Sequence, residues 1–149
     1  MNGVDEQHLR RAIALALTAR AAGQRPYGAL LVGPGGATLA EDHNTVLLER
    51  DITAHPELKL ARWAAQHLDA PAIRATTMYT SCEPCEMCAG AIARAGIGRV
   101  VFALSDEQWQ AVTRSGVGSP VAAAVAYEGP ALFEEARAPV DGYYTSGSP

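Results

Sequence analysis

The order of apolar and polar positions divides the first two thirds of the chain into alternating helical and extended segments. Leu9, Ala12, Ile13, Ala16 and Leu17 recur at helical spacing. This predicts a helix over 5–22, with Asp5 as its N-cap and Gly23 as its stop. Tyr27–Val32 is an apolar run that reads as a strand. The turn Gly33-Pro34-Gly35-Gly36 joins it to an antiparallel partner over 38–41. Residues 43–54 read as irregular and polar, with few core candidates. A second helix is expected from His55 or Pro56 to about Leu68, capped by Thr53, with proline tolerated in its first turn. Pro71 reads as a stop just after that helix.

Thr76–Thr80 reads as a third strand, and 85–95 as a helix closed by Gly96. Arg99–Leu104 reads as a fourth strand, followed by a short helix capped by Ser105 and running through Trp109 to Val112. Val121–Tyr127 fits a fifth strand or a helix, because its alanines serve both. Pro130–Ala138 reads as a last helix with proline in its first turn, and 141–149 as a loose tail. Strands alternating with helices predict one α/β domain over 1–149, built as an α/β sandwich.

Composition narrows the class. The chain has 149 residues, 48% hydrophobic and 19% charged, which fits a globular fold with a real core. Lys and Arg total 12 against 16 Asp and Glu, and Lys59 is the only lysine. That balance argues against a nucleic-acid partner, which calls for clustered cations. The first residues lack a basic segment followed by an apolar run, and no stretch reaches the roughly 20 apolar residues of a membrane span. A cytoplasmic protein without a membrane partner is expected.

The candidate chemistry sits in two short motifs. The first is Thr53-Ala54-His55-Pro56-Glu57. The second is Ser81-Cys82-Glu83-Pro84-Cys85-Glu86-Met87-Cys88. Three cysteines crowded into seven positions make a poor disulfide framework and a plausible metal set. Cys85 and Cys88, three apart at a helix start, share a face, and that end of a helix favours thiolate. With His55 they offer one nitrogen and two sulfurs, a mixture suited to Zn2+, and three protein ligands leave a fourth tetrahedral position open to water. Glu57, two residues after His55, is placed to carry protons as a general base and acid. A C-x-x-C also fits a redox pair or half of a structural zinc site, but a structural site calls for two further tightly spaced Cys or His ligands, and the overlapping Cys82-Glu83-Pro84-Cys85 adds only one cysteine.

Together the motifs fit H-x-E followed by P-C-x-x-C, the signature of zinc deaminases. Over about residues 5–105 the chain resembles the cytidine-deaminase-like superfamily, in the branch of guanine, cytosine and tRNA adenosine deaminases. The resemblance implies the cytidine deaminase-like fold, a three-layer α/β/α sandwich on a central mixed five-stranded sheet, and hydrolytic release of ammonia from an aminated nucleobase or nucleoside, guanine-like purines being slightly favoured. It implies a homodimer, and Asn44, Ala54, Tyr27, Asp106 and Trp109 as substrate-facing residues. It leaves Cys82 off the metal and gives the region of Glu134, Glu135, Tyr143 and Tyr144 a part in closing the pocket. Two departures stand out: Pro56 where alanine is usual, and Tyr27 where Pro-Phe-Gly is usual. Three other readings stay open at this point. They are a tRNA adenosine deaminase, a tailoring deaminase of a non-standard heterocycle, and a non-catalytic zinc-stabilised interaction domain.

Overall fold

Gly28–Val32 forms strand β1, buried along its whole length, and every other strand is arranged around it. The computed structural model describes residues 1–113, 126 and 128–143. Strand β2 (Thr38–His43) pairs antiparallel with β1 on one side, and β3 (Thr77–Cys82) antiparallel on the other. Strand β4 (Arg99–Leu104) runs parallel to β3, so the sheet is mixed, in the order β2-β1-β3-β4. Among the described residues it has four strands rather than five. The expected fifth strand falls on 121–127, of which only Ala126 is described.

Period-two alternation sorts the strand residues between two cores. Leu30, Val32, Tyr79 and Val101 join Leu9 and Ala12 of helix α1 (Gly3–Ala21). Ala29, Leu31 and Met78 join Leu60, Ala61 and Ala64 of helix α3 (Pro56–His67) and Ile92 of helix α5 (Glu86–Ala95). Gly28 has a steric reason to be glycine. A Cβ there would lie 2.5 Å from Leu15 Cβ and 2.6 Å from the Ala12 carbonyl oxygen, so only a bare backbone admits α1 this close to β1.

Several expected boundaries move. Helix α1 starts earlier because Asn2, not Asp5, is its N-cap. Asn2 Oδ1 accepts from the amides of Val4 and Asp5, and Asp5 Oδ2 accepts from the Asn2 amide, a reciprocal capping box with Asp5 at its third position. The buried stripe of α1 is Leu9, Ala12, Leu15, Ala16 and Ala19. Ile13 and Leu17 are exposed, because the face that meets β1 is rotated from the one drawn through the larger side chains. Thr53 caps nothing: its amide and hydroxyl both donate to Asp51 Oδ1, and His55 is the N-cap of α3. A short helix α2 (Val46–Glu49) interrupts the segment expected to be irregular. Pro71 does not stop an element but occupies the first turn of helix α4 (Ala70–Arg74), whose N-cap Asp69 accepts from the Ala72 amide at 2.9 Å.

Helix α6 (Asp106–Thr113) starts as expected, with Ser105 Oγ accepting from the Gln108 amide. Gly23 and Gly96 both take positive φ just past their helices, the backbone conformation expected of such stops. The chain divides into two units, Met1–Ser119 and Pro120–Pro149. The second carries helix α7 (Phe133–Arg137), which leaves Pro130 outside the helix. Its Arg137 donates to Asp141 at 2.8 Å. No described helix is long and apolar enough to cross a membrane.

Candidate metal centre

Two helix starts meet on the α3–α5 side of the sheet. His55 is the N-cap of α3 and Cys85 the N-cap of α5, while Cys88 lies one turn into α5, fully buried. His55 Nδ1 is 3.7 Å from Cys85 Sγ and 3.5 Å from Cys88 Sγ, and all three donor atoms lie within 4.8 Å of one another. Zinc–nitrogen and zinc–sulfur lengths of about 2.0–2.3 Å at a tetrahedral angle separate neighbouring ligand atoms by roughly 3.5–3.8 Å. The edges at His55 therefore have the size a zinc ion requires.

The thiols are already polarised. Hydrogen bonding from Cys88, then from His55, brings the Cys85 thiol down to about 4. Cys88 is pushed up, because it donates to Cys85 and is buried. A dication neutralises both as thiolates, which removes the reason for Cys88 to keep its proton. The hydrogen bond to Cys85 raises the pKa of His55. Cys82 is different: burial lifts its thiol to about 11, and it is outside the three-residue group.

Glu57 enters the site from the first turn of α3 and is 5% exposed. Its Oε2 is 3.7 Å from Cys88 Sγ, and its Oε1 accepts from Thr80 Oγ1 at 2.7 Å. Burial raises its pKa. Pro56, at the first position of α3, is fully buried between His55 and Glu57, where a missing N–H leaves no helical hydrogen bond unmade.

The strand ends supply the wall facing this group. Ala29 pairs with Thr80 and Gly28 with His43, so Tyr27 stands one step beyond, between Cys82 and Asn44. The Asn44 amide donates to the Tyr27 carbonyl at 3.0 Å. Parity puts Tyr27 and Cys82 on the face of Ala29 and Thr80, the face of Glu57. The Tyr27 hydroxyl accepts from Trp109 Nε1 at 3.0 Å, and burial raises its pKa, so Trp109 reaches the wall through Tyr27. Asn44 is 1% exposed, and its Oδ1 accepts from the Val46 amide, leaving the amide nitrogen as the group able to meet a ring. Ala54 is buried, and its carbonyl accepts from the Thr45 amide, which binds the Asn44 loop to the metal loop.

Asp106 does not join this group. It is exposed in the first turn of α6, with its carboxylate taken by Gln110 Nε2 at 3.2 Å. Glu134, Glu135 and Tyr143 lie in the second unit, and Tyr144 lies outside the described residues. Two supporting residues were not expected. One is Thr80. The other is Lys59, whose ammonium donates to Asp42 Oδ1, the His43 carbonyl and Thr45 Oγ1 at 2.8–3.0 Å, pinning the loop that carries Asn44. A sole lysine on the helix that bears Glu57 was a signal for the second. A hydroxyl at the parity of Cys82 was one for the first.

The family described as the cytidine and deoxycytidylate deaminase zinc-binding region matches residues 3–104. The chain belongs to this family. Over 108 residues it is 38% identical to the tRNA-specific adenosine deaminase of Haemophilus influenzae, covering 72% of this chain and 62% of that protein, so it spans less than two thirds of that relative's length. It is 33% identical over 155 residues to a probable cytosine deaminase of Schizosaccharomyces pombe, covering 96% of this chain and 94% of the relative. The solved structure of guanine deaminase from Bacillus subtilis superimposes with a TM-score of 0.74 at 30% identity, over 97% of this chain and 95% of that one.

Proposed function

We propose that this chain is a zinc-dependent hydrolase that replaces the exocyclic amine of a nucleobase or nucleoside with oxygen, releasing ammonia. The observation that carries this reading is the meeting of His55, Cys85 and Cys88 within 4.8 Å of one another with a buried Glu57, whose Oε2 lies 3.7 Å from Cys88 Sγ. His55, Cys85 and Cys88 hold the metal. Zinc, when bound, is a Lewis acid that lowers the pKa of a water to about 7. Glu57 Oε2 takes a proton from the attacking water and delivers it to the ring nitrogen beside the reacting carbon. With the oxygen added to the ring carbon, Glu57 takes the remaining proton of the new hydroxyl and gives it to the amine, so that the C–N bond breaks, the carbon keeps a C=O and ammonia leaves. The raised pKa of Glu57 suits a group that must both accept and donate.

Asn44 and Tyr27 meet the ring edge, Ala54 leaves room for a flat ring, and Trp109 holds the Tyr27 hydroxyl. Asp106 acts only if the bound state turns it inward. The substrate is a small heterocycle, with a guanine-like purine favoured by the likeness to guanine deaminase over nearly the whole chain. In this reading the chain is one deaminase domain with the three-layer architecture, a cytoplasmic homodimer whose helices near the zinc motifs pack across subunits. Ammonia release from guanine, cytosine, adenine and their nucleosides, with and without a chelator, tests it. Zinc-independent release, or none from any of the panel, defeats it.

A second reading has an observation of its own. The similarity to a tRNA-specific adenosine deaminase supports a base flipped out of an RNA loop as substrate. The acidic balance of 16 carboxylates to 12 cations weighs against it. Binding to tRNA at physiological salt, with steep salt dependence and inosine formation in the anticodon loop, would favour it over the small-molecule reading.

A further inference from the structure

We propose that Thr80 is a positioning residue for proton transfer: its hydroxyl holds one carboxylate oxygen of Glu57 so that the other faces the Cys88 sulfur. The inference rests on the reading of the chain as a deaminase. Thr80 is fully buried on β3, and its Oγ1 is 2.7 Å from Glu57 Oε1. The remaining oxygen, Oε2, is the one 3.7 Å from Cys88 Sγ. The terminal torsion of glutamate is broad and roughly two-fold, so nothing in the side chain itself fixes the carboxylate plane or selects the inward oxygen. A hydrogen bond on one oxygen supplies both choices.

The hydroxyl is itself well held. Threonine is stiff at χ1 in a strand, and of the two acceptors within reach of its single proton, Glu57 Oε1 at 2.7 Å is nearer than the Cys82 carbonyl at 3.0 Å. Thr80 is paired with Ala29 in the sheet, so its backbone moves only with the sheet. The anchor for Glu57 therefore comes from a rigid strand rather than from the helix that carries Glu57, and it fixes the side chain from a second direction.

The test uses Thr80→Val, which keeps the shape and removes the hydroxyl, Thr80→Ser, which keeps the hydroxyl, and Thr80→Ala as a second hydroxyl-free variant. The probe is guanine or cytosine, whichever the wild type turns over faster, followed by ammonia release. Thr80→Val and Thr80→Ala should keep zinc, lose roughly 10–100-fold in kcat and change KM by about two-fold or less. Thr80→Ser should recover most of kcat. Thr80→Val added to Glu57→Gln should cost nothing further, because the two act as one unit. Crystal structures of the zinc-loaded proteins give a reading independent of turnover. The Glu57 carboxylate should be rotated or split between two positions in Thr80→Val and single in wild type and Thr80→Ser.

A zinc-loaded Thr80→Val with wild-type kcat, or with Glu57 unmoved in its crystal structure, overturns the proposal. So does failure of both hydroxyl-free variants to fold with zinc, which makes Thr80 a purely structural residue. If the wild type turns over neither base, the deaminase reading suffers separately and the crystal comparison still decides the role of Thr80.

Discussion

Asp5 and Glu57 are both buried carboxylates, 3% and 5% exposed, and adjacent residues of one strand serve them from opposite faces of the sheet. Tyr79 donates to Asp5 at 2.7 Å, and Thr80 donates to Glu57 at the same distance. Around them the surroundings diverge. Asp5 also takes two hydrogen bonds from the Arg99 guanidinium, at 2.8 and 3.0 Å, and one from the Asn2 amide. The Arg99 pair, then Tyr79, hold its carboxyl well below the usual range. Glu57 has a hydroxyl on one oxygen and the Cys88 thiol near the other, and burial pushes its pKa up. A carboxylate saturated with donors is locked in one charge state and ties elements together. One left short of donors is ready to exchange a proton. In the deaminase reading, the same side-chain chemistry serves architecture on the α1 face and reaction on the α3–α5 face.

The sharpest way to break this contrast is to remove the metal set. His55→Ala, Cys85→Ser and Cys88→Ser should each lose most zinc and all measurable ammonia release, by metal analysis and assay of the purified proteins. Full zinc in Cys85→Ser would remove the ligand assignment.

Next comes Glu57→Gln. It should keep zinc and fold while kcat drops about 10²–10⁴-fold, the usual span for a general acid–base group. A near wild-type rate would hand the shuttle to another residue.

Asp5→Asn should do the reverse. Its loss of the Arg99 pair should lower the melting temperature, while kcat per folded, zinc-loaded chain stays near wild type. A large kcat defect with unchanged melting would mean the two faces are coupled.

The pH dependences should have opposite signs. A lowered folded-state pKa at Asp5 gives stability that is present above the ordinary carboxylate range and is lost as pH falls toward the lowered value, so Asp5→Asn should flatten the acid limb of the stability curve. A raised pKa at Glu57 means that ionising it costs the metal-free fold as pH rises from the ordinary carboxylate range through the raised value. Glu57→Gln should therefore stabilise the metal-free protein at neutral pH. Denaturant melts of chelated protein across pH check both signs.

The smallest effect should be that of Cys82→Ser. Its sulfur is outside the three donor atoms that lie within 4.8 Å of one another, so zinc content should hardly change.

What could be read from the chain was local. His55, Glu57, Cys85 and Cys88 stand in two short motifs, and helix geometry relates the members of each motif without knowledge of the fold. The strong helices and four of the strands were legible for the same reason. Their burial repeats with a period of two or 3.6, and the glycine stops at Gly23 and Gly96 depend only on the backbone beside them. The short helices α2 and α4 were not legible, since four or five residues are too few for a period to emerge.

The sequence by itself determined the kind of site: an N/S2 donor set, a nearby carboxylate and an α/β frame to carry them. The tertiary structure decided what surrounds that set. Arg99 reaches Asp5 across 94 positions, Trp109 reaches Tyr27 across 82, and Thr80 reaches Glu57 across 23. Only strand order and register bring such partners together, and a one-residue slip would turn Tyr79 and Thr80 to the wrong faces. Which buried carboxylate is clamped and which is left able to move a proton is therefore a property of the folded sheet. The local motif of neither residue encodes it.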